Sequence, residues 1–117
     1  MDPTLGVLKK MMDVSALRHE VLAHNLANAA TPGFRRQDVA FRDALAEAIG
    51  KNDTAAIAAV QPQIKPDRSA PLDGQGNSVS LHREMGALNE NSLLYGVSAK
   101  ALAGKYATIR AAINGRR

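Results

Sequence analysis

The sequence has no cysteine, few aromatic residues and no long uninterrupted apolar run. Without cysteine, neither a disulfide scaffold nor a thiolate metal site can form. The aromatic fraction is only 3%, so the apolar residues are mostly aliphatic and Met, and the Ala, Leu and Met among them favour helix. No run approaches the roughly 18 apolar residues of a membrane span, and Asp13 and Arg18 interrupt the stretch after Lys10 that would form a secretory signal. We therefore expect neither a cleaved signal peptide nor a membrane-spanning helix.

With 117 residues, the chain is long enough for one domain only. Its net charge is +4, and no acidic residue follows Glu90. The basic residues of this last part are Lys100, Lys105, Arg110, Arg116 and Arg117. They leave open a basic helical protein that binds nucleic acid, although no stacking platform or known DNA-binding motif accompanies them. We favour the alternative that they complement the dipole at the end of a helix, with no nucleic acid as a partner.

The first segment repeats apolar residues at alternating spacings of three and four, which predicts a helix that packs on a partner helix. This seam consists of Leu5, Leu8, Met12, Ser15, His19, Leu22, Leu26 and Ala29. A neighbouring stripe widens the apolar surface, so we expect this helix to contact more than one element. The stripe consists of Val7, Met11, Val14 and Val21.

The last segment shows the same alternation over a longer stretch. Its seam consists of Leu81, Met85, Leu88, Ser92, Tyr95, Ala99, Leu102, Tyr106, Ile109 and Ile113. Gly86, Gly96 and Gly104 lie inside the predicted helix and each costs about 1 kcal/mol relative to Ala, so the helix needs partners. We predict a mainly α fold in which the N- and C-terminal helices pair as an antiparallel coiled coil.

The chain divides into four predicted segments. Residues 1–33 form the first helix and the turn that ends it, and residues 34–50 form an extended stretch and a short helix ending at Gly50. Residues 51–77 are rich in Pro and Gly and predict an irregular, partly mobile loop. Residues 78–117 form the last helix.

No catalytic or metal-binding constellation stands out in the sequence. His19 and His24 are five residues apart, which separates them by about 140° on a helix and prevents them from chelating one ion. His19 falls on the seam and is expected to be packed, whereas His24 is expected to face a groove or solvent. No Gly-x-Ser-x-Gly motif surrounds any serine, and residues 73–77 lack the later acidic ligands of a calcium loop. We expect no enzymatic activity, no cofactor, no metal and no small-molecule substrate.

The segment from Asn25 to Phe34 is the hardest to explain by composition. A helix that ends here explains Thr31, Pro32 and Gly33, because Pro presets a turn and Gly permits the positive φ that follows. It does not explain two Asn residues three apart on one helical face, since each buried amide needs partners. The candidate site therefore comprises Asn25, Leu26, Asn28, Thr31, Pro32, Gly33 and Phe34.

The run from Asn25 to Phe34, followed by residues 38–41, resembles the signature of the bacterial flagellar rod and hook proteins. Residues 77–85 resemble the segment that opens the last helix in that family. The short chain and this last helix resemble the proximal rod type, because Leu93, Tyr95 and Ser98 stand where other members usually carry an Arg-x-Tyr-x-x-Asn pattern. Ser80 stands where the family often has Asp and remains a good helix cap.

The resemblance implies a structural subunit of the periplasmic rod of the flagellar basal body. It implies export through the flagellar type III apparatus without a cleaved signal, and polymerisation through the terminal helices to transmit torque. The implied partners are other copies, other rod proteins, the membrane ring and the ring-to-rod adaptor. An adaptor is itself the nearer alternative, but it should lack the Asn-Thr-Pro-Gly run. We expect Asn25 and Asn28 to hold the turn against adjacent subunits, so that replacing both with Ala blocks assembly while export continues.

Overall fold

The computed structural model describes residues 3–115, so Arg116, Arg117 and the first two residues of the predicted N-terminal segment lie outside the described residues. The molecule is elongated, with extents of 64 × 26 × 14 Å. In sequence order, two short helices and the two strands of a sheet lie between the long helices α1 and α4. The predicted mainly α fold with long terminal helices is confirmed. The elements are α1 (Pro3–Ala27), β1 (Gln37–Ala40), α2 (Arg42–Gly50), α3 (Thr54–Ala59), β2 (Gln63–Pro66) and α4 (Leu81–Ile113).

Helices α1 and α4 pack side by side in antiparallel directions. The end of α1 meets the beginning of α4, where Asn25 contacts Glu84, and the middle of α1 meets Asn91, which bonds the carbonyl of Ser15. Continued at 1.5 Å per residue from these two contacts, this register carries α4 past the start of α1 at about residues 103 to 106. The antiparallel pairing is observed, whereas the supercoil of a coiled coil remains a prediction.

The α1 seam lies largely where the sequence predicts. Leu5, Ser15 and Leu22 are buried, and the rest of the seam except His19 is half-buried. The expected packing of His19 is wrong, because its side chain is exposed. An imidazole loses hydration when it is buried, and leaving it in water avoids the need for new hydrogen-bond partners.

The neighbouring stripe on α1 packs against the middle of the chain. Leu45 and Ala48 of α2 and Ile57 of α3 form a small core cluster, and Val7 and Met11 pack against it. Lys10 adds a hydrogen bond of 2.6 Å from Nζ to the carbonyl oxygen of Val60. The prediction that α1 contacts more than one neighbour is confirmed.

Residues 51–77 contain regular structure that the sequence analysis missed. Helix α3 begins after Asp53, whose carboxylate accepts a hydrogen bond from the N–H of Ala55 (3.0 Å). Strand β2 pairs antiparallel with β1, with Val39 opposite Ile64. All four residues of β2 are exposed, and Pro62 and Pro66 in and beside so short a strand indicate a loop in the sequence. The prediction of an irregular segment is therefore wrong for α3 and β2, and the mobility of the segment stays a prediction.

Candidate assembly surface

The turn after α1 is built by its own short polar side chains. Asn28 Nδ2 donates to the carbonyl oxygen of His24 (2.9 Å), and Thr31 Oγ1 donates to Asn28 Oδ1 (3.1 Å). The N–H of Phe34 donates to the carbonyl of Thr31 (3.2 Å) around Gly33, whose φ is +76°. Asn28 thus satisfies a carbonyl at the helix end, and Gly33 adopts the positive φ as predicted.

The exposed Pro32 occupies the first central position of this turn. The side chains beside the turn are Leu26 and Phe34, both half-buried. The ring of Phe34 lies edge-on to that of His24, with 5.7 Å between the ring centroids. His24 itself is exposed, which fits the expectation that it faces solvent or a groove.

A second turn, just before α4, is hydrogen-bonded to the first. Asn77 Nδ2 donates to the carbonyl oxygens of Asn28 (2.9 Å) and Thr31 (2.7 Å), and its Oδ1 accepts from the N–H of Val79 (2.7 Å). The N–H of Ser78 donates to the carbonyl of Phe34 (3.0 Å). Because Asn77 is buried and all its bonds cross between the two turns or hold its own, the end of α1 and the beginning of α4 form one unit.

Asn25 is fully buried and is used inside the chain. Its Nδ2 donates to the carbonyl oxygen of Gln37 (2.7 Å) and lies 3.4 Å from Glu84 Oε2, while its Oδ1 accepts from the N–H of Gln37 (3.0 Å). These bonds supply the partners that a buried amide requires. Any effect of Asn25 on adjacent subunits must therefore pass through the fold of its own chain.

Arg36 ties the sheet to α4 and was missed by the sequence analysis. Its Nε donates to Glu84 Oε1 (2.6 Å), one terminal nitrogen donates to Asp67 Oδ2 (2.6 Å), and that nitrogen lies 3.6 Å from Asp38 Oδ2. The side chain of Glu84 is only 1% exposed. A buried carboxylate needs such a partner, so substituting Arg36 would leave the charge of Glu84 buried without its cation. Substituting Glu84 would remove one of the carboxylates that pair with Arg36. No short spacing could reveal this pair, because its members are 48 residues apart.

The ionisation of this cluster follows from its contacts. Burial works against the charge of Arg36, but hydrogen bonds to Glu84 and Asp67 outweigh it and raise the pKa of Arg36 above its ordinary value. The pKa of Asp67 is lowered, chiefly by the hydrogen bond from the hydroxyl of Ser69 and further by Arg36, although burial opposes the shift. Both charges are thus held in the folded chain.

The face of α4 that packs on α1 is not its predicted seam. The residues buried on α4 are Glu84, Asn91 and Ser98, seven apart and all polar. Each stands one position before a predicted seam residue, so the packed face is rotated away from the seam. Leu88, Ala99 and Leu102 of the seam are half-buried, and the other seam residues are exposed: Leu81, Met85, Ser92, Tyr95, Tyr106, Ile109 and Ile113. Sequence pattern alone missed this because it assigns apolar residues to the buried face.

The exposed apolar residues of the predicted α4 seam form a row, which we call the apolar row: Leu81, Met85, Tyr95, Tyr106, Ile109 and Ile113. This row is the main candidate surface for contact with other chains. Its last members, Tyr106, Ile109 and Ile113, are 48%, 39% and 78% exposed and follow one face at spacings of three and four. They also lie at or beyond the point where α1 begins. Contiguous apolar patches of this kind mark interaction sites on soluble proteins.

The part of the chain that the structure describes shows neither a cluster of metal ligands nor a membrane-spanning helix. Within residues 3–115, no three His, Asp or Glu side chains gather as metal ligands. None of the helices there is long and apolar enough to cross a membrane. The long helices and the apolar row define the class as a mainly helical protein with an exposed apolar surface on its last helix.

Comparison with known proteins makes this class specific. The flagellar basal body rod protein FlgB of Aeromonas hydrophila is 32% identical over 125 aligned residues, which cover 97% of this chain and 95% of the relative. FlgB of Escherichia coli K12 is 30% identical, with 90% and 88% covered, and FlgB of Borreliella burgdorferi is 29% identical, with 74% and 77% covered. No family model matches the chain. The chain belongs to the FlgB family of flagellar basal body rod proteins, which are structural proteins and not enzymes.

Proposed function

We propose that this chain is a subunit of the proximal rod of the bacterial flagellum, and that it polymerises through its terminal helices. Its partners are other copies of itself, other rod proteins, and the membrane ring with its ring-to-rod adaptor. The observation that carries the proposal is the exposed apolar row on α4, and the family membership supports it. The rod lies in the periplasm, and the chain reaches it through the flagellar type III export apparatus.

The end of α4 supports a role in polymerisation. Within the described residues 3–115, α4 has no α1 residue opposite it beyond about residue 106, so Tyr106, Ile109 and Ile113 keep 48%, 39% and 78% of their surface exposed. Burying one such side chain contributes about 1.5 to 3 kcal/mol. Contact with a neighbouring subunit would add the part of this free energy that corresponds to the surface still exposed at each of the three positions.

The remainder of the fold suits transmission of torque. The two turns and the Arg36 cluster join α1, β1 and α4 by hydrogen bonds at the end where the long helices meet. A load on one helix therefore reaches the other through short, oriented contacts as well as through the helix interface.

The competing nucleic-acid function finds little support in the arrangement of charge. On an α-helix, Lys105 points about 140° away from both Lys100 and Arg110, which are themselves about 80° apart. They form no continuous basic strip that could follow a phosphate backbone.

The test substitutes the apolar row where it lies free of the fold. The variant Tyr106→Lys/Ile109→Lys is expressed in cells that lack the native protein. Because both positions are exposed, we expect normal export of the variant, loss of rod formation and loss of swimming. Rods are counted in purified basal bodies, and export is measured as protein released into the medium.

The matched control is Ala58→Lys, a lysine at an exposed position on α3, which lies in the middle segment away from the row. This control should swim as the parent does. Normal rods and swimming in the double variant would refute the proposed use of α4.

A further inference from the structure

Helix α4 carries two competing faces. One is polar and buried, formed by Glu84, Asn91 and Ser98. The other is the apolar row, one residue further along at each turn and largely exposed, with Met85 at 52% and Tyr95 at 43%. A rotation of about 100°, the step of one residue, would exchange the two faces against α1.

The hydrophobic effect by itself favours the exchange. Rotation would take Met85 and Tyr95 out of water, bury the half-buried Leu88 further and return polar side chains to water. The observed orientation must therefore be held by specific contacts.

The contacts of two polar residues, Glu84 and Asn91, hold α4 in the observed orientation. Glu84 is bound by Arg36 Nε at 2.6 Å and by Asn25 Nδ2 at 3.4 Å, and Asn91 Nδ2 donates to the carbonyl of Ser15 at 2.7 Å. The two anchors are seven residues apart on α4, which is two turns of helix, so together they fix its rotation as well as its axial position.

Asn91 also carries a cost in this orientation. Its Oδ1 is buried and accepts no hydrogen bond from the described residues, which is unfavourable for folding. A buried polar residue that lowers stability but fixes the register and orientation of a helix pair is a known device of coiled coils.

We infer that Glu84 and Asn91, with the small Ser98, determine which face of α4 packs on α1 and thereby hold the apolar row outward. The contacts that carry this inference lie within one chain. Its consequence, that the row is presented to neighbouring subunits, rests on the proposed function.

The experiment uses single cysteines in the otherwise cysteine-free, full-length chain at monomeric dilution. Met85→Cys reports the exposed row, and Ser98→Cys reports the buried face. A thiol-reactive maleimide should label Cys at position 85 much faster than Cys at position 98. In the background Glu84→Ala/Asn91→Ala we expect the order to reverse, with slower labelling at 85 and faster labelling at 98. Asn91→Ala alone should shift the ratio of the two rates in the same direction by less.

The control background is Glu90→Ala, which removes an exposed carboxylate from the same helix and should leave the ratio unchanged. Fast labelling at both positions would mean that the polar residues hold the helices together without selecting a face, and would overturn the inference. An unchanged ratio would overturn it too. Because the assay needs no assembled rod, it can fail while the Tyr106→Lys/Ile109→Lys variant still blocks assembly, and the reverse.

Discussion

At the scale of single residues, the amide of Asn25 substitutes for a missing strand. The N–H and carbonyl of Gln37 point away from β2, and Asn25 bonds both of them. Buried backbone groups must be paired, so without Asn25 this edge of β1 would lose its partners inside the protein. Asn28, by contrast, bonds only its own helix end and turn.

We therefore expect Asn25→Ala and Asn28→Ala to differ, although the two residues belong to one motif. Asn25→Ala leaves Gln37 and Glu84 short of bonds in a buried place and should lower the free energy of unfolding by at least about 2 kcal/mol. Asn28→Ala removes local bonds at an exposed site and should cost about 1 kcal/mol. Urea unfolding followed by circular dichroism measures both.

Equal losses in the two variants would contradict this division. The earlier expectation that the double replacement blocks rod assembly stands, but the structure predicts that much of the effect comes from Asn25 through the fold. Swimming of each single variant separates the two contributions, because Asn28→Ala leaves the Arg36 cluster intact.

At the scale of elements, the two-stranded sheet is protected at both edges. On β1, Asn25 covers Gln37 and the carboxylate of Asp38 accepts from the N–H of Val39 (2.8 Å). On β2, the residues opposite Gln37 and Val39 are Pro66 and Ile64, so these two face outward. Proline has no N–H, which leaves Ile64 as the outward donor of β2. Edge strands are commonly blocked by proline in this way.

Replacing Pro66 with Val should open this edge. The new N–H would stand two residues from that of Ile64, which gives a second chain a short ladder to pair with. We expect concentration-dependent association of Pro66→Val, detected by sedimentation velocity, while the parent stays monomeric at the same concentrations. Pro71→Val, in an exposed loop outside the sheet, is the control and should behave like the parent. Association of both variants, or of neither, would argue against edge protection.

The elements differ in how far sequence could predict them. The seam of α1 was predictable, because Leu5 and Leu22 meet partners through ordinary apolar packing. The face of α4 was not, because Glu84 and Asn91 are buried by partners far away in sequence. Strand β2 was missed for a related reason: it is exposed along its length, and only its pairing with β1 organises it.

The candidate site was predictable in its local part only. The end of α1 at Asn28 and the positive φ of Gly33 follow from the chemistry of the turn. The roles of Arg36 and Asn77 could not be predicted, because they depend on partners more than 30 residues away in sequence. Asn77 lies in the run that resembles the start of the last helix in rod proteins, and that resemblance was the one signal that pointed to its neighbourhood.

At the scale of the whole molecule, the chain is stable at one end and dependent on partners at the other. The hydrogen-bonded turns, the Arg36 cluster and the core around Leu45 and Ile57 all lie beside α1. In the part of the chain that the structure describes, these features do not extend to the last part of α4, and Gly104 lowers its helix propensity further. An isolated stretch of two turns is well below the length at which a helix is stable in water.

Hydrogen exchange should map this division along α4 in the dilute monomer. Amides between Leu88 and Ser98 should be protected, because this part of α4 packs on α1, whereas amides from about residue 107 to Ile113 should exchange rapidly by fraying. Incorporation into rods should then slow the exchange of the terminal amides, because the neighbouring subunit covers Ile109 and Ile113. Mass spectrometry of peptic fragments from monomer and from purified rods measures both states. Uniform protection through Ile113 in the monomer would show that the end of α4 is stable without a partner. The free energy of assembly would then have to come from contacts on another surface of the chain.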